Sequence, residues 1–142
     1  MTKEQRAKRD HRLFMQRSLS AYNNMTARCG KLPFTVADLR NNIQGALKRP
    51  CFYLRMPFTI KDFSLDHMTP ISRGGDSSLD NLVVCSRSAN LAKGNMNYGE
   101  FESLMSLLRT FPVEARNDVI GRLKAGGAAK RLRFFGKKKA AQ

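Results

Sequence analysis

The chain has 142 residues and carries 26 Lys and Arg against 11 Asp and Glu, a formal net charge of +15. That length allows one modest core, and that charge calls for an anionic partner, nucleic acid or a membrane surface. No apolar run approaches the roughly 20 residues of a spanning helix, the N-terminal TKEQRAKRDHR is charged where a signal peptide would be apolar, and Cys29, Cys51 and Cys85 form neither a disulfide framework nor a CxxC pair. The expectation is a soluble, cytoplasmic, polyanion-binding protein with no membrane partner.

Residues 1–28 are predicted as a helix, with Leu13, Phe14, Leu19, Tyr22 and Met25 as an irregular apolar stripe among basic residues. Gly30 ends it, and Thr35 is a good N-cap for a second helix through Val36, Leu39, Ile43 and Leu47. From Cys51 to Leu65 the aromatic and β-branched residues alternate partially, which predicts one or two short strands despite Pro57. Pro70, Gly74 and Gly75 mark Met68–Asp80 as a loop. A short strand, Leu82–Cys85, then leads to a helix capped by Ser86 or Ser88, running over Asn90 and Lys93 and ended by Gly94. FESLMSLLRTF is an amphipathic helix, and Pro112 separates it from another over Val113–Leu123, expected to stop at Gly126-Gly127. The rest, AAKRLRFFGKKKAAQ, holds six basic residues and no acid, and is expected to be a disordered tail.

The residues that carry chemistry are Asp66-His67, Asn81 and Asn90. With Asp66 at a strand end and Asn90 on the helix after the next strand, a carboxylate and an amide oxygen face one cation, a donor set suited to Mg²⁺. His67, adjacent on the strand, is expected on the opposite face, free to take a proton from water. Asn81 is placed to hydrogen-bond the loop backbone or the imidazole. Arg73, Arg87 and Lys93 lie beside this set and are candidate DNA phosphate contacts.

The ordered series Asp66-His67, Pro70, Ser72-Arg73-Gly74-Gly75, Asn81-Leu82-Val83 and Cys85-Ser-Arg-Ser-Ala-Asn90-Leu-Ala-Lys93-Gly94 resembles the HNH endonuclease family over residues 62–97. PFTVADLRNN followed by CFYL extends a weaker resemblance, to small phage and bacterial members, back to about residue 20. The resemblance implies an α+β fold: a ββα-metal (HNH, His-Me finger) core with flanking α-helices. It implies Asp66 and Asn90 as ligands of one divalent cation, Mg²⁺ or Mn²⁺, with His67 and Asn81 as catalytic residues. His67 would be the general base and Asn81 would hold the loop. Asn90 stands where the name-giving pattern has His; this HNN form also occurs in the nuclease domain of RNA-guided CRISPR effectors, and it favours harder cations. Many relatives carry two CxxC knuckles for a structural zinc. Here they are reduced to Cys51-Phe-Tyr-Leu54 and Cys85-Ser-Arg-Ser88, so no structural zinc is expected. Apolar packing around Phe52, Leu54 and Val84 should replace it, with Cys51 and Cys85 close together inside.

The division expected is a basic helical region at 1–50, a nuclease core at 51–100, C-terminal helices at 101–125 and a basic tail at 126–142. The activity expected is metal-dependent nicking or cutting of double-stranded DNA by a monomer or homodimer in a bacterial or phage-infected cell. The alternatives are a non-catalytic DNA-binding or phage packaging-associated module and a ribonuclease.

Overall fold

A computed structural model of the chain describes residues 1–140. Helix α1 (Lys3–Cys29) starts from a capping box in which Thr2 and Gln5 satisfy each other's backbone N–H groups. It ends at Gly30, whose φ of 80° favours glycine. Its inner face is narrower than the predicted stripe: Met25 is buried, Phe14 and Tyr22 are half-buried, and Leu19 is exposed.

Helix α2 (Val36–Leu47) opens on a second capping box, Thr35 with Asp38, and buries Leu39 and Ile43 one turn apart. The Tyr22 hydroxyl donates to the Phe34 carbonyl at 2.9 Å, and Arg40 donates to Ser18 Oγ at 2.9 Å. These bonds lock α1 against α2. Arg17 of α1 also donates to the Ile60 and Lys61 carbonyls, fixing the segment that feeds the first strand.

That segment departs from the expectation of strands over 51–65. Only Phe63–His67 forms a strand, β1. Before it, Cys51 N–H bonds the Met56 carbonyl at 2.7 Å and Arg55 N–H bonds the Cys51 carbonyl at 2.8 Å, closing a tight loop with Arg55 at φ 56°. A chain turned back on itself in this way, with Pro57 following, cannot present a ladder edge.

Strand β2 (Leu82–Ser86) pairs antiparallel with β1, Asp66 opposite Val83 and His67 opposite Leu82. The Ser86 hydroxyl then accepts from Ala89 N–H at 3.2 Å and caps α3 (Arg87–Lys93), which Gly94 terminates at φ 55°. Helix α4 (Tyr98–Leu108) begins with an Asn97–Glu100 capping box. The fold is therefore α+β, a ββα unit flanked by helices.

Helix α5 (Val113–Ala140) overturns the stop expected at Gly126-Gly127 and the disordered character expected of the tail up to Ala140. A Cβ on Gly127 would lie 2.1 Å from the Leu91 carbonyl oxygen, so this glycine is a seat for close packing of α5 on α3 rather than a helix terminator. Ala141 and Gln142, the end of that expected tail, lie outside the described residues.

Two apolar clusters flank the sheet. One gathers Cys51, Tyr53, Cys85, Ala89, Phe101 and Met105; the other gathers Met25, Leu32, Phe34, Leu39, Ile43 and Leu82. Each large side chain fully buried there contributes about 1.5–3 kcal/mol, so both faces of a two-stranded sheet, too small to stand alone, are secured.

Candidate active site

Strand β1 delivers Asp66 and His67 at its C-terminal end, and α3 delivers Asn90; all three border one cavity of about 440 Å³. Asp66 is only 5% exposed. The Tyr53 hydroxyl donates to its Oδ2 at 2.5 Å, and the Lys93 ammonium donates to its Oδ1 at 3.2 Å. Burial pushes the carboxyl pKa up, while the Tyr53 hydrogen bond and the Lys93 charge pull against it. The same environment raises the Tyr53 pKa, so the phenol stays a donor.

Asn90 Nδ2 donates to Ser64 Oγ at 2.6 Å and to the Leu65 carbonyl at 3.1 Å. A carbonyl only accepts, so the amide orientation is fixed. Oδ1 accepts no hydrogen bond from the described residues, and Asn90 lines the cavity. Asp66 and Asn90 thus offer oxygen donors to a shared space, one carboxylate and one amide.

His67 also borders that cavity instead of turning to an opposite, separate face, because β1 ends at this residue. Its Nε2 lies 3.0 Å from Ser77 Oγ. Burial lowers the imidazole pKa, against the raising effect of Asp66.

Asn81 bonds the loop backbone rather than the imidazole. Its Oδ1 accepts from Thr69 N–H at 2.9 Å, and its Nδ2 donates to the carbonyls of Thr69 at 3.0 Å and Asp76 at 2.7 Å. Gly75 fits beneath this clasp because a Cβ there would meet the Thr69 oxygen at 1.8 Å. The loop carrying Ser77 is in this way held over His67.

The three basic residues expected on phosphates are placed differently from one another. Lys93 is 1% exposed, paired with Asp66 and donating to the His67 carbonyl at 3.0 Å, so its place as a DNA contact is corrected. Arg73 forms a bidentate pair with Glu100, Nη1–Oε2 2.5 Å and Nη2–Oε1 2.8 Å, which ties the loop to α4 and holds the Glu100 pKa down at about 2. Arg87 is exposed at the start of α3. Sequence reasoning missed Tyr53, Ser77, Arg28 and Arg131, the last two lining the cavity from α1 and α5.

Cys51 and Cys85 are buried in one cluster, and Cys51 Sγ accepts from Ser86 N–H at 3.3 Å. Desolvation raises the Cys85 thiol pKa. Phe52 departs from its expected packing role: it is 48% exposed and stacks on Tyr98 at 5.5 Å, while Tyr53 fills the interior.

The ββα unit thus brings an acid, an imidazole and an amide to one cavity. Residues 53–97 match the family model of the HNH endonucleases. No curated protein matches the chain.

Proposed function

We propose that this protein is an endonuclease that hydrolyses phosphodiester bonds of double-stranded DNA, with His67 as general base and one divalent cation held by Asp66 and Asn90. The observation that carries this reading is the convergence of Asp66, His67 and Asn90 on one cavity in a core matching a family of nucleases.

The donor set fits a hard cation. Among the described residues no group of three or more His, Cys, Asp or Glu is arranged to hold a metal. One carboxylate with one amide oxygen is instead the sparse kind of site that Mg²⁺ uses, keeping waters and borrowing substrate phosphate oxygens. Tyr53 and Lys93 each use one carboxylate oxygen of Asp66, and a carboxylate has about four lone-pair sites, so acceptor capacity remains. A cation bound there supplies charge stabilisation to the scissile phosphate.

The residues of the chain perform the proton work. His67 accepts a proton from water; in the tautomer whose Nε2–H donates to Ser77 Oγ, 3.0 Å away, Nδ1 is the basic nitrogen. As the water oxygen bonds phosphorus, the bond to the 3′ oxygen breaks and that oxygen takes a proton from solvent, giving a 5′-phosphate and a 3′-hydroxyl. Asn81 keeps the loop, and with it Ser77, in place over the ring. Tyr53 and Lys93 fix the orientation of the Asp66 carboxylate.

Incubation with supercoiled plasmid and with RNA, each with Mg²⁺ or with chelator, tests the proposal. Metal-dependent relaxed or linear DNA is expected. Product from RNA alone selects a ribonuclease, and no product from either selects a non-catalytic module.

A further inference from the structure

The substrate path is marked by cations from outside the family-matched segment. Next to the active-site cavity lies a second one of about 310 Å³; the two share Arg28, Asn90, Gly94, Asn95 and Arg131 as lining, so they form one groove, extended by Lys130. Arg28 stands at the end of α1, and Lys130 and Arg131 stand on α5. Gly127, Lys130 and Arg131 are spaced i, i+3 and i+4, which puts them on one helix face. Since Gly127 is pressed against Leu91 of α3, that face is the one turned to the site.

Among the described residues, Arg28, Arg87, Lys130 and Arg131 have no ion-pair partner, whereas Arg73 and Arg122 have Glu100 and Asp118. Arg131 is crowded enough that desolvation, then the charges of Arg28 and Arg87, lower its pKa, although the side chain remains solvent-exposed. Asp66 is the one acid on this lining among the described residues and is already paired with Lys93, so the gathered cations repel one another, and a bound polyanion reduces that repulsion. Net charge alone would not require them to converge on the groove.

We propose that Arg28 and Arg131 are the two walls of a phosphate clamp that seats the DNA backbone in this groove, with Lys130 extending the track away from the cleavage site. This rests on the nuclease reading for the substrate, yet it makes a separate claim about binding. Backbone contacts of this kind position a duplex without reading its bases.

The test is binding of a labelled duplex to the full chain, with chelator present to prevent cleavage, across a KCl series. Each phosphate contact adds about 0.9 to the slope of log affinity against log salt. The Arg28→Ala/Arg131→Ala double variant should therefore lose roughly 1.8 of that slope, Arg28→Lys/Arg131→Lys should retain it, and Arg122→Ala, on the same helix but paired, should change nothing. In plasmid cleavage the Ala pair should raise KM and spare kcat. An unchanged slope in the Ala pair, or an equal loss in Arg122→Ala, overturns the clamp even where the plasmid is cut. A lost slope beside an inert protein upholds the clamp and removes the catalytic reading.

Discussion

The family-matched core and the helices around it divide the work unequally. Residues 53–97 contain five basic and four acidic residues, a net of +1, against +15 for the whole chain. On the proposed reading, the reacting groups sit in a nearly neutral core, and most of the positive charge lies in the flanks. Two of the core's basic residues are already paired, Lys93 with Asp66 inside the core and Arg73 with Glu100 of α4. Arg28 and Arg131, from opposite ends of the chain, remain unpaired among the described residues and open to the cavity. Under the proposed function, short-range bonds fix the reacting groups while the flanking helices supply the long-range attraction for DNA.

The largest break in that comparison comes from inside the core. Lys93→Met removes the ammonium paired with a carboxylate that is 5% exposed, and leaving a buried charge unpaired costs about 3–5 kcal/mol. Urea denaturation should show that loss, and Mg²⁺ should recover more stability in the variant than in the wild type. An unchanged midpoint would mean that the Asp66–Lys93 pair is not buried together.

A smaller effect lies at the seam between core and flank. Gly127→Ala places a Cβ about 2.1 Å from the Leu91 oxygen, so α5 must shift, at about 1–3 kcal/mol for overpacking. Gly126→Ala meets nothing within 4 Å and should stabilise by about 0.5–1 kcal/mol through helix propensity. Opposite signs of the two Tm shifts sharpen the claim that only one glycine is a packing seat; equal shifts break it.

The smallest effect concerns the loop anchor. The Glu100 carboxyl is held below its ordinary 4.5, at about 2, by Arg73 first and the Asn97 backbone second. A depressed carboxyl contributes stability above its unfolded pKa and loses it as pH falls through the folded value. Glu100→Gln, which keeps a cap-competent amide, should be slightly less stable than wild type at neutral pH. The gap should close between pH 4.5 and about 2; a gap independent of pH would assign the effect to the cap alone.

The core's elements were legible because their signals are local. Asp66-His67, the Asn81 clasp and the Ser86-capped helix with Asn90 lie within a short span whose turns are marked by Pro70, Gly74, Gly75 and Gly94. Lys93 was misassigned although it stands three residues after Asn90 and so shares its helix face, because composition alone reads a lysine as exposed. Tyr53 was hidden in a loop where alternation suggests a strand and the chain instead turns back between Cys51 and Met56. Arg28 and Arg131 meet only through tertiary packing across about a hundred residues of chain, which no local period encodes. At Gly126-Gly127 the same residue type that ends helices also permits close helix contact, and packing on Leu91 decides between them.

The most direct measurement compares wild type with His67→Ala on supercoiled plasmid, with Mg²⁺ and with chelator, beside duplex binding by both proteins. The wild type should give relaxed or linear DNA only with metal, and the variant should cleave about 10²- to 10⁴-fold more slowly while binding equally well. Cleavage by His67→Ala at the wild-type rate, or no metal-dependent product from the wild type, would contradict the account.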